Sequence, residues 1–190
     1  MTKDNPSLKP LLAPLAALQR LLNRYEGKGI IIGGIAASLL GTPRLTADVD
    51  ALVLLSIEEL PELLDAARAE GLIERISDPQ TFARQRRVVL LRHDESGIGI
   101  DISLGTLPFE QEMIARSIVV QLEGLKIRLP TPEDLIILKA VAHRPKDLLD
   151  IQGVIQSHPD LNRERIQDWV TQFAQLLEMP ELWEDIAGWL

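Results

Sequence analysis

Between Ile30 and Val53 the chain reads Ile-Ile-Ile-Gly-Gly, a short apolar run, and then Arg44-Leu-Thr-Ala-Asp48-Val-Asp50-Ala-Leu-Val. No other stretch restricts the fold so tightly. Three β-branched residues before two glycines predict a short buried strand, Ile30 to Ile32, that turns sharply at Gly33-Gly34 into a helix over Ile35 to Leu40. Gly41 and Pro43 close that helix, and a second strand is predicted from Asp48 to Leu55. Side chains alternate across a strand, so Asp48 and Asp50 face the same way. Two adjacent carboxylates repel, and each is driven toward protonation unless a cation lies between them. A divalent metal is the simplest such cation. An oxygen-only pair suits Mg2+ (or Mn2+), which keeps waters and completes its shell with substrate phosphate oxygens.

Composition narrows the alternatives. With 190 residues, 46% of them hydrophobic, the chain can bury a proper core as one domain or as a domain with a helical annex. The net charge of −8 disfavours a long nonspecific nucleic-acid surface, which needs clustered Lys and Arg. Cysteine is absent, which excludes disulfides, thiolate metal sites and cysteine nucleophiles. Lys3 and Asp4 are followed by proline-punctuated polar residues, and no apolar run is long enough to span a bilayer. The expectation is a cytoplasmic protein with no membrane partner.

Taken in order, residues 1–7 read as a loose tail. Leu11, Leu12, Leu15, Leu18, Leu21 and Leu22 then recur at helical spacing over Leu8 to Tyr25, with Pro10 in the first turn and Pro14 as a kink or a later start. After the second strand, Ser56 and Glu59 form a capping-box pair for a helix to about Glu70, stopped by Gly71. Thr81 to His93 holds Arg84, Arg86, Arg87 and Arg92 around Val88-Val-Leu-Leu91 and reads as a strand with a basic lead-in. Asp94 to Gly97 is a hairpin turn, and the strand beyond it, Ile98 to Leu104, is interrupted by Asp101. A carboxylate inside a sheet is costly unless it is paired or metal-bound.

Pro108 to Ser117 is predicted helical, and Ile118 to Leu129 as two strands joined at Glu123-Gly124. From Thr131, an N-cap followed by Pro132, the chain turns to helices: Leu135 to His143 bearing Lys139, another beginning at Pro145, and one or two more from Leu161. The division expected is 1–130 for an α/β core and 131–190 for a helical portion packed on it.

Gly33-Gly34, thirteen intervening residues, Asp48-Val-Asp50 and a later strand acid at Asp101 together resemble the signature of the DNA polymerase β-like nucleotidyltransferase superfamily. The likeness is to its small bacterial branch of antibiotic nucleotidyltransferases and abortive-infection-type toxins. Pro132 to Lys139, followed by Arg144-Pro-Lys-Asp147-Leu-Leu-Asp150, is similar to that branch's C-terminal helical segment. One departure is Gly-Gly where many members have Gly-Ser.

The resemblance implies an α/β (α+β) fold, a mixed sheet flanked by helices. It further implies transfer of NMP from an NTP such as ATP to a hydroxyl acceptor: a small molecule, an RNA end or a protein. On that likeness Asp48, Asp50 and Asp101 are the catalytic metal ligands, Asp101 also helping to deprotonate the acceptor. Gly33 and Gly34 lie against the phosphates, where exposed N–H groups favour anions. Arg44 and Lys139 supply phosphate charge, with Lys146 a further candidate.

Each assignment has a plainer rival. Asp48 and Asp50 could be a solvated strand start, and Asp101 an edge acid paired with Arg84, Arg86 or Arg87. Lys139 could extend its ammonium to solvent, and Arg44 could pair locally. Lys146 and Asp150 fit an intrahelical pair. His93, His143 and His158 lack metal-ligand spacing and read as surface or packing residues. The alternative function is a catalytically weak nucleotide-binding module, or the toxin of a toxin-antitoxin pair acting with a protein partner.

Overall fold

A computed structural model describes residues 2–3 and 6–190. Of the tail expected over residues 1–7, Met1, Asp4 and Asn5 lie outside the described residues. Thr2–Lys3 form a strand, β1, and a 3-10 helix over Pro6–Leu11 leads into α1, Leu12–Asn23. Pro14 is the third residue of α1, where the N–H it lacks would have had no partner within the helix.

β2 (Gly29–Ile31) is buried throughout and passes after one residue into α2, Gly33–Leu40. The helix therefore includes both glycines instead of starting beyond them. β3 spans Asp48–Val53. The Ser56 N–H donates to Glu59 at 2.8 Å, and after one 3-10 turn α3 runs Leu60–Ala69.

β4, Leu72–Glu74, is a short strand that the sequence pattern does not announce. The basic stretch expected to lead extended into a strand is helical: α4 covers Pro79–Arg86. Its cause is local, because Asp78 accepts the Thr81 N–H at 3.0 Å and Pro79 follows it at the first turn. Arg87 ends α4 with φ +56°, and β5 begins at Val88 and runs to His93. β6 (Gly99–Leu104), α5 (Pro108–Arg116), β7 (Ile118–Leu122) and β8 (Leu125–Leu129) follow. The last helices are α6 (Pro132–Ala142), α7 (Pro145–Ser157), α8 (Arg163–Leu177) and α9 (Glu181–Ala187).

The main sheet has the order β2-β3-β6-β5-β4, with β3 and β6 parallel and the other neighbours antiparallel. A second sheet has the order β1-β7-β8. One apolar cluster takes in Leu18 of α1, Ile35 of α2, Val49 of β3, Ile102 of β6, Ile136 of α6 and Ile151 of α7. The turn after α2 lies hard against α7: a Cβ on Gly41 would stand 2.9 Å from the Val154 nitrogen, and one on Gly153 would stand 2.8 Å from Thr42 Oγ1. That close approach fixes the loop carrying Arg44, which opens β3 and its two aspartates.

Candidate functional site

β3 and β6 lie parallel with Asp50 opposite Asp101 and Asp48 opposite Gly99. Registered neighbours on adjacent strands share a face, so the two carboxylates whose sequence positions are far apart are brought side by side. The Ile32 N–H donates to the Asp50 carbonyl at 2.9 Å, which brings the glycine turn directly over Asp50. Gly33 has φ +64°, and a Cβ there would fall 1.9 Å from Asp50 Oδ2. Only glycine fits both the torsion and the contact. The Gly34 N–H bonds the Asp50 carboxylate. Thr46 covers Gly34 and donates from its hydroxyl to Asp48 Oδ1 at 3.2 Å.

The charges at this spot are poorly balanced. Burial raises the Asp50 pKa, and the neighbouring Asp48 and Asp101 charges raise it further. Asp101 is also raised, by burial first and then by Asp48, against the opposing effect of Arg75. Arg75 is the partner that Asp101 has: its Nη2 donates to Asp101 Oδ1. The expected rivals Arg84, Arg86 and Arg87 are not that partner. Arg87 instead donates to the Leu104 carbonyl at 3.2 Å.

Across the cleft the helices hold a different arrangement. Lys139 of α6 is only 5% exposed and donates to Asp147 at 2.7 Å, with Asp150 at 2.9 Å. Arg144 reaches Asp147 at 2.5 Å, and Arg44 grips Asp150 through Nε at 2.6 Å and Nη2 at 2.9 Å. Burial alone would raise both carboxyls, but the Arg144 and Lys139 hydrogen bonds hold Asp147 below the usual carboxylate range. Arg44 and Lys139 do the same for Asp150. The intrahelical Lys146–Asp150 pair that the spacing suggests does not form, because Asp150 turns to residues on two other segments.

The two clusters meet at a cleft of about 210 Å3 lined by Ile32, Gly33, Asp50, Leu135, Leu138, Lys139, Ala142 and Arg144. Six of the predicted site residues, Gly33, Gly34, Asp48, Asp50, Asp101 and Lys139, thus line it or adjoin its lining. Arg44 stands one step back, joined to it through Asp150. Lys139 still acts on the site, since its charge lowers the Asp50 pKa. Arg75 and Arg144 were missed. Arg144 is the N-cap of α7 and pairs with Asp147 three residues on, a local signal that Arg-Pro-Lys-Asp offered; Arg75 follows a three-residue strand too short to leave a pattern.

Among the described residues no three His, Asp or Glu side chains are grouped to hold a metal ion as they stand. The donor chemistry nonetheless fits a hard divalent cation: carboxylate oxygens only, side by side, with more negative charge than Arg75 neutralises. The histidines are engaged elsewhere, His93 with Ser96, His143 with Asp185 and His158 with the Leu40 carbonyl. No helix is long and apolar enough to cross a membrane among the described residues.

The family described as "Nucleotidyltransferase of unknown function (DUF6036)" matches residues 7–178, and the chain belongs to it. No curated protein matches by sequence. Among solved structures, the antibiotic-resistance factor ANT(2'')-Ia in solution is 14% identical, with a TM-score of 0.56 over 87% of this chain and 93% of that one. ANT(2'')-Ia in complex with adenylyl-2''-tobramycin gives 16%, 0.55, 86% and 97%. The lincomycin-bound lincosamide antibiotic adenylyltransferase LnuA gives 14%, 0.50, 75% and 97%. These likenesses are of fold.

Proposed function

We propose that this member of the DUF6036 nucleotidyltransferase family transfers a nucleoside monophosphate from an NTP, ATP among the candidates, to a hydroxyl group. The observation that carries this reading is the parallel register of β3 and β6, which sets Asp101 beside Asp50, itself held under the glycine turn. Asp48, Asp50 and Asp101 are the residues that would hold Mg2+ or Mn2+. Bound there, divalent ions would neutralise the triphosphate and favour ionisation of the attacking hydroxyl.

The chain's own groups supply the rest. The α2 N-terminus, with Gly33 in the cleft lining, would lie against the phosphates, and Lys139 and Arg144 line the same cleft. Asp101, whose pKa is raised, accepts the proton of the acceptor hydroxyl as the new O–Pα bond forms. The bond from Pα to the bridging oxygen breaks, and pyrophosphate leaves with that electron pair. Burial under the glycine turn holds Asp50 in a single position.

For the acceptor, the net charge of −8 favours a neutral or cationic hydroxylated small molecule over an RNA end. Lincomycin, bound by one structural neighbour, and tobramycin, whose adenylyl derivative another binds, are the first to test. With α-labelled NTPs, Mn2+ or Mg2+ and a panel of such acceptors, the wild type should label an acceptor and release pyrophosphate. Asp48→Asn should keep the far-UV circular dichroism spectrum and lose transfer by roughly a thousandfold. An unchanged rate in that variant would remove Asp48 from the chemistry.

A further inference from the structure

Arg75 lies in a row that crosses the main sheet. Its N–H donates to the Leu90 carbonyl at 3.0 Å, extending β4 by one residue. Leu90 is registered with Asp101, and Asp101 with Asp50. Registered residues share a face, so Arg75, Leu90, Asp101 and Asp50 stand in line on one side of the sheet. The arginine is the member of that row long enough to reach over Leu90, and it does so to bond Asp101.

Its path is cleared by a glycine. A Cβ on Gly99 would lie 3.0 Å from Arg75 Nη1, so the guanidinium lies over Gly99, the residue registered with Asp48 on the neighbouring strand. Its ion pair is with Asp101. A guanidinium and a divalent ion are rivals for the same carboxylate lone pairs, and they repel each other at that separation.

We infer that Arg75 is a built-in competitor for the divalent ion: it occupies Asp101 and must release it before Asp101 can join Asp48 and Asp50 as a ligand. This rests on the reading of those three acids as the metal site. Its consequence is an order of events. Metal alone meets opposition from Arg75, whereas metal arriving with a triphosphate brings phosphate oxygens that give the freed guanidinium a new bidentate partner. Arg75 is thereby a positioning residue that couples loading of the ion to loading of the nucleotide.

The test measures Mn2+ binding to the full chain without nucleotide, by isothermal titration and by the electron paramagnetic resonance signal of free Mn2+. Arg75→Gln should bind Mn2+ about five-fold more tightly than wild type. Arg75→Lys, which keeps the charge, should stay near wild type, and thermal melts confirm that both variants fold. A merely structural ion pair gives the opposite sign, since its loss would loosen Asp101 and weaken binding. Unchanged or weaker Mn2+ affinity in Arg75→Gln, with wild type binding normally, overturns the competition. Failure of wild type and Arg75→Gln alike to bind Mn2+ overturns the metal site itself, and the inference with it.

Discussion

Asp147 and Asp150 on α7 and Asp50 and Asp101 in the sheet are the same side chain around one cleft, yet their carboxyls shift in opposite directions. The α7 pair is the more deeply buried and also the easier to ionise. The sheet pair is more exposed and harder to ionise. Burial raises all four, so it cannot by itself account for the opposite signs. What decides is the supply of partners. Lys139, Arg44 and Arg144 surround the α7 acids, whereas the sheet acids have each other, Asp48 and one arginine. The first group holds the helices to the loop before β3. The second is left with unmet attraction for a cation, which is what a binding site requires.

The sharpest way to break the contrast is to remove the cation at its centre. Lys139→Met leaves two buried carboxylates short of a partner and should destabilise the fold by about 3 kcal/mol, the arginines limiting the damage. For a chain of this size that is a fall in Tm of roughly 6–12 °C by circular dichroism. A melting curve that coincides with wild type would mean that the network does not hold the helices.

Acid titration separates the groups by sign. For Asp147 and Asp150 the folded pKa lies below the ordinary 3.8, so the stability they add is present above that value. It drains away as pH falls through the depressed folded values. For Asp50 and Asp101 the folded pKa lies above 3.8, so their contribution is fully present below that value and is lost as pH rises through the raised one. Urea midpoints measured between pH 7 and 3 should therefore show the acid-side loss in wild type. Asp147→Asn together with Asp150→Asn should flatten it. A steeper acid limb in that double variant would contradict the assignment.

The smallest effect is the most telling about function. Asp50→Asn relieves repulsion among the sheet acids and should raise stability at pH 7 by about 0.5–1 kcal/mol, with the gain fading toward pH 3.5. A chain destabilised by that change would show that Asp50 serves the fold more than the site.

Much of this was legible beforehand, and the reasons are local. Ser56 with Glu59, Thr131 before Pro132, and the Gly33-Gly34 turn are short-range signals whose chemistry is complete within a few residues. The alternation that sets Asp48 and Asp50 on one face is equally local. Strand order was not: nothing in the spacing of Asp50 and Asp101 says that β3 and β6 are neighbours, and only the resemblance joined them. The pairing of Asp150 failed for a related reason. Helical spacing offered Lys146, but a buried carboxylate takes the partners that tertiary packing delivers, here Arg44 from a loop 106 residues away. The arginines at 84–87 were misjudged because Asp78 and Pro79, which start their helix, lie upstream of the basic run.

Gly33 carries a consequence for how such a chain can change over time. The obstacle to any larger residue is the Asp50 carboxylate together with a left-handed backbone, so position 33 is closed by its neighbour whether or not chemistry is under selection. A lineage that abandoned catalysis while keeping Asp50 would still be confined to glycine there. Replacing Asp50 by alanine would not open the position either, since the residue-50 Cβ would still stand 2.7 Å from a Cβ at position 33. A glycine surviving there therefore records backbone geometry before it records activity.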